Sequence, residues 1–481
     1  MITFCVSVIL LLGGYFIYGR FAEKVFNIMP DRPTPAMANS DGVDFVPMSW
    51  PKIFLIQLLN IAGLGPIFGA LAGALWGPVV FLWIVFGCIF AGAVHDFISG
   101  MMSLRHNGES ISEIIGIYLG KHIKRIMLVF IVALLILVGA VFISGPAKLM
   151  AALTPKSLDA QFWAVYILIY YFIATIFPID KIIGRIYPIF GIALVIMAVG
   201  IAGGIILKGY HIPELQFANL HPKGLPIWPL MFITVACGAI SGFHSTQSPM
   251  MARCLKNEIF GRKAFYGAMI AEGLIALIWA AAGMAFFGST AELGKELAAN
   301  TAGGAVHKIS ISLLGGFGGI LAILGVIACP ITTGDTAFRS ARLTISDAFK
   351  INQCPILKRL LIAAPLFIAG YGLTFIRFDI IWRYFAWANQ TLAMVILWTA
   401  AVYLRKNGRF YWIAAIPAAF MTTVSCTYIL IAPEGFALPA NISYFGGIAA
   451  AVVAFSVFML KKMDVEMPKC DKIQEKQESI V

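Results

Sequence analysis

The residues most capable of chemistry lie in one stretch, 228–251, with the sequence WPLMFITVACGAISGFHSTQSPMM. It begins as an apolar run typical of a membrane helix. From 236 to 249 the residues are mostly small or polar, and such residues weaken a helix. Non-helical backbone persists at membrane depth only where protein or a water-filled cavity surrounds it. The stretch therefore predicts an interrupted helix facing an internal site, with a Gly/Ser face for tight helix packing as the alternative.

His244 is the only titratable side chain in this interruption. Its unperturbed pKa of ~6.5 suits either substrate binding or proton transfer. A neutral histidine hydrogen-bonded to a backbone carbonyl is the structural alternative. The broken helix itself also offers binding groups, because exposed N–H groups suit a carboxylate and exposed carbonyls suit a cation.

A second interrupted segment occurs at 51–75, where Asn60 is followed by Gly63, Gly65 and Pro66 near mid-span. Pro66 removes a backbone donor and disfavours helix at Gly65. Glycines then recur every four residues from Gly65 to Gly73, which allows another backbone to approach closely. We therefore expect two broken helices, at the second and seventh positions of the chain.

The two breaks lie about 180 residues apart in segments that run in opposite directions. This pattern predicts two inverted halves, 52–207 and 228–403, of five helices each. Paired Gly/Pro-interrupted segments of this kind indicate a transporter's midplane site. The predicted substrate-binding residues are Asn60, Gly63, Gly65, Gly238, Ser241, Gly242, His244 and Ser245.

The segment 328–342, ACPITTGDTAFRSAR, is a candidate ion-coupling region. Thr332, Thr333 and Asp335 follow the helix-bending Pro330, and could hold a cation or a proton. Asp335 and Arg339 stand at i, i+4 with the acid first, the favourable order for a structural ion pair. Both interpretations remain open here.

Two further acids fall within apolar helices. Asp96 follows His95 in GAVHDFISG, and Glu272 interrupts AMIAEGLIAL. Ionisable groups inside a membrane are functional candidates because burying them is costly. The predicted ion-coupling residues are therefore Asp96, Glu272, Thr332, Thr333, Asp335 and Arg339. In contrast, Arg383, Asn389 and Gln390 are interpreted as a polar face that packs into the bundle.

The composition defines the class of protein. The 481 residues are 60% hydrophobic and 12% charged, which is typical of a polytopic all-α membrane protein. Thirteen transmembrane helices are predicted, at 2–19, 52–75, 78–102, 125–147, 161–177, 187–207, 228–250, 263–288, 309–334, 357–376, 381–403, 410–432 and 443–460. Residues 1–51 would add an N-terminal helix and a loop, 404–460 two C-terminal helices, and 461–481 a disordered tail.

Orientation follows from Lys and Arg in the loops between these segments. If 20–52 lies in the cytoplasm, the cytoplasmic segments hold 27 basic residues and the outer ones hold 8, of 35 in all. The N-terminus is therefore predicted to lie outside and the C-terminus inside. The net charge of +12 does not indicate nucleic-acid binding, because the bases sit in short loops.

Motifs for other functions are absent from the sequence. There is no GxxxxGK[ST] phosphate loop, no HExxH metal site and no nucleophile–base pair. The eight cysteines have no paired or metal-ligand spacing. We therefore predict no catalytic residues, no metal site and no cofactor beyond a coupling proton or sodium ion.

Six motifs resemble the carbon starvation protein A family of bacterial inner-membrane transporters, over about residues 41–403. They are DGVDFVP, IAGLGPIFG, AGAVHDFISG with RHNGESISE, ITVACGAISGFHS, DTAFRSAR and WANQTLAM. The residues that match by motif are Gly63, Gly65, Pro66, Asp96, Gly238, Ser241, Gly242, Phe243, His244, Asp335 and Arg339. The chain departs from the family where His95 replaces the usual Gln, and in STQSPMM after His244.

The resemblance implies a proton- or sodium-driven carrier with the inverted-repeat fold of the amino acid–polyamine–cation superfamily. It further implies uptake of peptides or pyruvate across the inner membrane during carbon starvation. The rival functions are a channel, which would not accumulate its substrate, and a nutrient sensor without transport. The sequence does not distinguish peptide from pyruvate or proton from sodium, and leaves the oligomeric state open.

Overall fold

The computed structural model describes residues 1–177 and 183–461. This part of the chain is all-helical, with no strand beyond an isolated bridge between Met48 and Leu255. The predicted tail falls almost wholly outside the described residues, since only its first residue, Lys461, is included.

Eight helices precede residue 208 in the described part of the chain, and the first break lies between the second and the third of them. They are α1 (Ile2–Phe26), α2 (Trp50–Ile61), α3 (Gly65–Trp76), α4 (Val80–Arg105), α5 (Ile111–Leu119), α6 (Lys121–Leu153), α7 (Ala160–Ile176) and α8 (Ile183–Leu207).

Nine further helices follow in the described part of the chain, and the second break lies between the first two of them. They are α9 (Leu230–Thr234), α10 (Gly242–Ala252), α11 (Glu258–Phe287), α12 (Thr290–Ile323), α13 (Cys329–Phe349), α14 (Ile356–Leu373), α15 (Phe378–Lys406), α16 (Trp412–Ile431) and α17 (Ala440–Leu460). A π-helical turn, Leu324–Ala328, joins α12 to α13.

The predicted count of thirteen membrane spans is not confirmed. Among the described residues, ten helices are long and apolar enough to cross a membrane, or eleven if the bent pair α2–α3 forms one span. The difference arises at two places. Helix α7 has only 17 residues, and the predicted seventh span is divided into α9, of five residues, and α10, of eleven.

The segment 289–308, between two predicted spans, is helical from Thr290 onwards. Ser289 begins α12 as an N-cap whose side chain accepts a hydrogen bond from the Glu292 amide. A hydropathy pattern overlooks this first part of the helix because it is polar. Its backbone leaves helical geometry at Thr301 and Gly315, where φ is positive.

The predicted break in the first half is confirmed. Helices α2 and α3 meet at an angle of 54° across residues 62–64. The glycines of α3 pack against the backbone at the end of α9 and just after it. A side chain at Gly65 would overlap Cys237, and one at Gly69 would lie 2.9 Å from the Thr234 carbonyl. The two broken segments therefore pack directly against each other.

The loops gather at opposite ends of the bundle. Four segments predicted to be cytoplasmic meet at one end, where Arg105 pairs with Glu258 at 2.9 Å and Arg253 with Asp347 at 2.8 Å, and Arg105 also donates to the Asn27 carbonyl. At the other end the N-terminal ammonium donates to the Ile212 carbonyl. Which end faces the cytoplasm stays a prediction.

Candidate functional site

The second break is held open by two neighbouring amides of α15. Residues 235–241 are non-helical between α9 and α10. The side-chain oxygen of Asn389 accepts hydrogen bonds from the Ser241 hydroxyl at 3.2 Å and from the Phe243 amide at 3.0 Å. The Gln390 amide donates to the Ile240 carbonyl at 3.1 Å. The α10 end of the break is thus satisfied by another helix, which replaces the missing intrahelical bonds.

The interruption is shorter than the predicted 236–249, because α10 resumes at Gly242. Every residue of α10 is buried, including its histidine, glutamine and hydroxyl side chains. These polar residues therefore face protein and not lipid, as the prediction of an internal site requires.

A chain of four buried titratable side chains starts from α10; we call it the acid–histidine chain. It consists of His95, Asp96, His244 and Glu272. Asp96 uses one carboxylate oxygen to contact His95 Nδ1 at 2.8 Å and the other to contact His244 Nδ1 at 3.0 Å. On the far side of the His244 ring, Nε2 lies 3.4 Å from Glu272 Oε2.

Three helices position the acid–histidine chain. Asp96 lies in the first turn of regular helix after a ten-residue π-helical stretch of α4, Trp83–Gly92. Such wide turns are frequent at functional sites. Glu272 comes from the middle of α11 and His244 from the first turn of α10. All four side chains are fully buried.

The acid–histidine chain is only partly saturated with hydrogen bonds. Within it, Nε2 of His95 and both carboxylate oxygens of Glu272 have no hydrogen-bond partner among the described residues. An unsatisfied buried polar group costs about 1–3 kcal/mol, and more if it is charged. Two ionised carboxylates beside neutral histidines would be costlier still.

The first break places Asn60 and Gly63 near α13. The hydroxyl of Thr333 donates to the Leu59 carbonyl at 3.3 Å. A side chain at Gly63 would lie 3.1 Å from the same hydroxyl oxygen. Asn60 is fully buried, and neither its amide nitrogen nor its oxygen has a partner within the described structure. Asn60 therefore has free polar atoms at the break.

Other predicted substrate-binding residues have packing contacts. A side chain at Gly238 would lie 2.5 Å from Ala276 of α11, and one at Gly242 would lie 2.5 Å from the Asn389 carbonyl. The Ser245 hydroxyl donates back to the Gly242 carbonyl at 2.6 Å. These contacts draw α10 against its neighbours.

The predicted ion pair between Asp335 and Arg339 does not form; no such pair occurs in the described part of the chain. Asp335 instead accepts a hydrogen bond from the Tyr187 hydroxyl at 2.7 Å. Arg339 donates to the Ala174 carbonyl at 3.0 Å and lies 3.8 Å from Asp44. Helix spacing permits an i, i+4 pair, but both side chains find tertiary partners. The Thr332 hydroxyl donates within its own helix, to the Cys329 carbonyl.

Sequence reasoning overlooked Tyr187 as a partner of Asp335 and assigned Asn389 and Gln390 to general packing. The sequence did indicate a specific role for Asn389 and Gln390, because burying two adjacent side-chain amides in an apolar helix is costly unless they form hydrogen bonds. Their partners could not be predicted, since Ser241 and Asn389 are 148 residues apart.

A cavity near the first break opens at the end of the bundle that holds the N-terminus. It has a volume of about 580 Å³ and is lined in part by Phe68, Lys148, His307 and Phe378. The acid–histidine chain does not line it. A series of ring contacts leads from the cavity to α10, through Phe378, Trp382, Phe385, Phe142 and Phe243. Aromatic side chains therefore lie between the cavity and α10.

The sequence model of the family described as carbon starvation protein CstA matches residues 1–157, 148–291 and 286–428. An uncharacterised membrane protein of Haemophilus influenzae is 45% identical over 336 residues, covering 59% of this chain and 90% of that protein. The peptide transporter CstA of Campylobacter jejuni is 25% identical, covering 86% of this chain and 78% of its own length.

The pyruvate/proton symporter BtsT of Escherichia coli is 28% identical over 340 residues, covering 56% of this chain and 47% of the symporter. Among solved structures, a variant of the manganese transporter of Eremococcus coleocola superposes with a TM-score of 0.53 at 12% identity. The match covers 88% of this chain and 97% of that one. At this identity the likeness concerns the fold alone.

Proposed function

Because the chain belongs to the carbon starvation protein CstA family, we propose that it is a secondary active transporter for small carboxylate-bearing nutrients. Its substrates would be peptides or pyruvate, taken up across the bacterial inner membrane during carbon starvation. The observation that carries the proposal is the acid–histidine chain, which lies fully buried on a broken helix.

The acid–histidine chain would couple transport to protons. A proton on His244 lets the ring donate from Nδ1 to Asp96 and direct Nε2 toward Glu272, 3.4 Å away. Loss of that proton leaves two carboxylates around a neutral ring, which is unfavourable in a buried site. The conformations that accept and release substrate would therefore differ in their protonation of His244 or its neighbours.

The substrate would bind between the two breaks. Several side-chain oxygens there lack a hydrogen-bond partner among the described residues, including those of Gln57, Asn60 and Gln247. The Phe243 amide would be the donor for a substrate carboxylate at the start of α10. In this conformation Asn389 accepts from that amide, so binding would require Asn389 to withdraw. The cavity beyond the aromatic side chains would be the outer entrance.

The movement would be alternating access about the two breaks. Residues 52–207 and 228–403 would act as inverted repeats of five helices each, with one of the paired Gly/Pro-interrupted segments in each repeat. Basic loops would place the N-terminus outside and the C-terminus in the cytoplasm.

Sodium is the alternative coupling ion, on one specific observation. Thr333 lies within 3.3 Å of the Leu59 carbonyl at the first break, so carbonyl and hydroxyl oxygens converge there. Oxygen atoms from an unwound helix and a neighbouring hydroxyl are suitable ligands for sodium. Substitution of Thr333 by Val would then abolish coupling while leaving the acid–histidine chain intact.

The test is uptake of labelled pyruvate and of a labelled dipeptide into proteoliposomes. Each substrate is measured with an inward proton gradient, an inward sodium gradient, or neither. Accumulation of one substrate under one gradient identifies substrate and ion together, and substitution of His244 by Ala should abolish it. Conductance without accumulation would indicate a channel. Absence of any flux from folded protein would contradict transport of these substrates.

A further inference from the structure

A second buried charged cluster lies at the end of the bundle opposite the N-terminus. Arg339 and Arg342 flank the carboxylate of Asp44, Arg359 is buried within Coulombic range of it, and we call these four residues the arginine cluster. Arg342 Nη2 lies 3.4 Å and Arg339 Nη1 lies 3.8 Å from Asp44 Oδ1. Arg359 lies within Coulombic range of both Asp44 and Arg339. Each of the four residues is at most 4% exposed.

The arginine cluster has three guanidinium groups and one carboxylate, and Asp335 of α13 lies within Coulombic range of Arg339 and Arg342. Nε and Nη1 of Arg339, and the same atoms of Arg359, have no hydrogen-bond partner in the described structure. Guanidinium groups stay charged in proteins, so the cost of burying these unpaired donors cannot be lowered by loss of a proton. Buried donors of this kind need an acceptor, and Asp44 supplies only part of what they require.

Asp44 is held in place by this charge. It lies on the loop between α1 and α2, outside the membrane-spanning helices. Burial alone would raise the pKa of the Asp44 carboxyl, but Arg342, Arg339 and Arg253 outweigh burial and hold that pKa below its usual range. The loop therefore presents a permanent carboxylate to the guanidinium groups.

A neighbouring pair shows what a purely structural arginine looks like. Arg253 donates from Nε to the Gly108 carbonyl at 2.8 Å and from Nη2 to Asp347 at 2.8 Å. Asp347 in turn accepts from the Ser110 amide. This pair is satisfied on both sides, whereas the arginine cluster is not.

The arginine cluster is connected to the breaks by α13. Thr333 contacts the first break, and Arg339 and Arg342 follow on the same helix, about 9 and 14 Å further along at 1.5 Å per residue. Helix α10 runs beside it, since the Ser340 hydroxyl donates to the Thr246 carbonyl at 2.9 Å. Helix α13 therefore carries groups of both the first break and the arginine cluster.

We propose that the arginine cluster is a second carboxylate-binding site, where Asp44 occupies the guanidinium groups until the carboxylate of a transported molecule replaces it. Two carboxylates, one from the loop and one from the ligand, would exchange on the same donors. Arginine suits this task because its planar fork binds carboxylates through paired N–H groups. The inference rests on the proposed function for the identity of the ligand as a carboxylate.

The test measures ligand binding without transport. Thermal unfolding of the purified full-length protein is followed while pyruvate, inorganic phosphate or neutral acetamide is titrated, since a ligand that binds the folded state raises the unfolding temperature. The variants are Asp44→Asn, Asp44→Asn with Arg359→Gln, and Asp44→Asn with Lys358→Gln. Lys358 is the matched control, because it is the exposed basic neighbour of Arg359 on α14.

Removal of the internal competitor should strengthen binding of pyruvate. We expect Asp44→Asn to lower, by roughly tenfold, the pyruvate concentration that gives half of the maximal rise in unfolding temperature. The reason is that Asp44, a competitor tethered to the same protein, has been removed. Adding Arg359→Gln should reverse this gain, and adding Lys358→Gln should not. Acetamide should have no effect on any variant.

A structural ion pair predicts the opposite sign for Asp44. If Asp44→Asn weakens or leaves unchanged the stabilisation by pyruvate, or if only phosphate stabilises, the proposal is wrong. The result does not depend on transport, so failure of uptake by the wild-type protein would contradict the proposed function and leave this test valid. Conversely, normal uptake with no difference among the variants would overturn the second site alone.

Discussion

The acid–histidine chain and the arginine cluster are both fully buried and both contain more charge of one sign than the other. They differ in the groups that carry the excess. At the break, two carboxylates contact histidines, a type of side chain that exists in charged and neutral forms. In the arginine cluster there are three guanidinium groups and one carboxylate, and guanidinium stays charged in proteins.

This difference assigns different tasks to the two regions. A buried cluster that can change its charge can couple a proton to a conformational change. A buried cluster of fixed charge can only exchange one counter-ion for another. We therefore expect changes in the acid–histidine chain to affect coupling, and changes in the arginine cluster to affect ligand affinity without affecting coupling.

The largest effect is expected for Asp96→Asn. Removing one partner from a buried charged pair costs about 3–5 kcal/mol, and accumulation of pyruvate should fall by more than about 100-fold. Uptake under an inward proton gradient measures this. Asp31→Asn, which alters an exposed carboxylate, is the control and should retain uptake. Full accumulation by a folded Asp96→Asn protein would remove the acid–histidine chain from the mechanism.

A smaller effect is expected for Glu272→Gln. Glu272 lies 3.4 Å from His244 without a hydrogen bond, so it contributes less than Asp96 does. Uptake should fall by about tenfold, equivalent to about 1.4 kcal/mol, and its dependence on pH should flatten. Uptake is measured from about pH 5.5 to 8, the range in which histidine titrates. An unchanged pH profile would show that Glu272 takes no part in proton exchange.

Asn389→Ala should have a more modest effect. It removes the acceptor for the Ser241 hydroxyl and the Phe243 amide, and loss of a helix N-cap costs about 1 kcal/mol. Initial uptake should fall by roughly fivefold. Thr399→Ala is the matched control on α15, because that hydroxyl donates only within its own helix, to the Val395 carbonyl. Equal effects of the two substitutions would indicate general packing in place of support for the break.

The smallest effect on coupling is expected for Asp44→Asn. The lowered pKa of Asp44 means that its stabilisation is fully present above the ordinary carboxyl pKa and is lost only as the pH falls through the lowered folded-state value. Between about pH 5.5 and 8 the carboxylate stays ionised, so the pH profile of uptake should match the wild type. A changed profile in this variant would contradict the division of tasks between the two regions.

Much of the candidate site could be predicted from residue types. Glycine, proline and serine near mid-span identified both breaks, because these residues destabilise helix whatever surrounds them. The recurrence of glycine from Gly65 to Gly73 also predicted close backbone approach, which the contact with Cys237 and Thr234 confirms. His244, Asp96 and Glu272 were recognisable because charge is rare and costly in apolar helices.

The polar part of α12 could not be predicted, because hydropathy detects burial in lipid and this part of the helix is not apolar. The Asp335–Arg339 pair failed for a related reason. Spacing along a helix indicates which side chains can reach each other. In the fold, however, Tyr187 binds Asp335 and Asp44 lies near Arg339, and both come from other parts of the chain.

The sequence alone determined that the chain crosses a membrane repeatedly, is interrupted twice, and places acids and histidines in apolar helices. These properties depend on each residue's own cost of burial and on its local backbone preference. Only the tertiary structure decided that Asp96 meets His244 across 148 residues, that Asn389 binds the start of α10 at the second break, and that Arg339 and Arg342 flank Asp44. Such contacts depend on which helices become neighbours, and helix packing is set by the shapes of many side chains together.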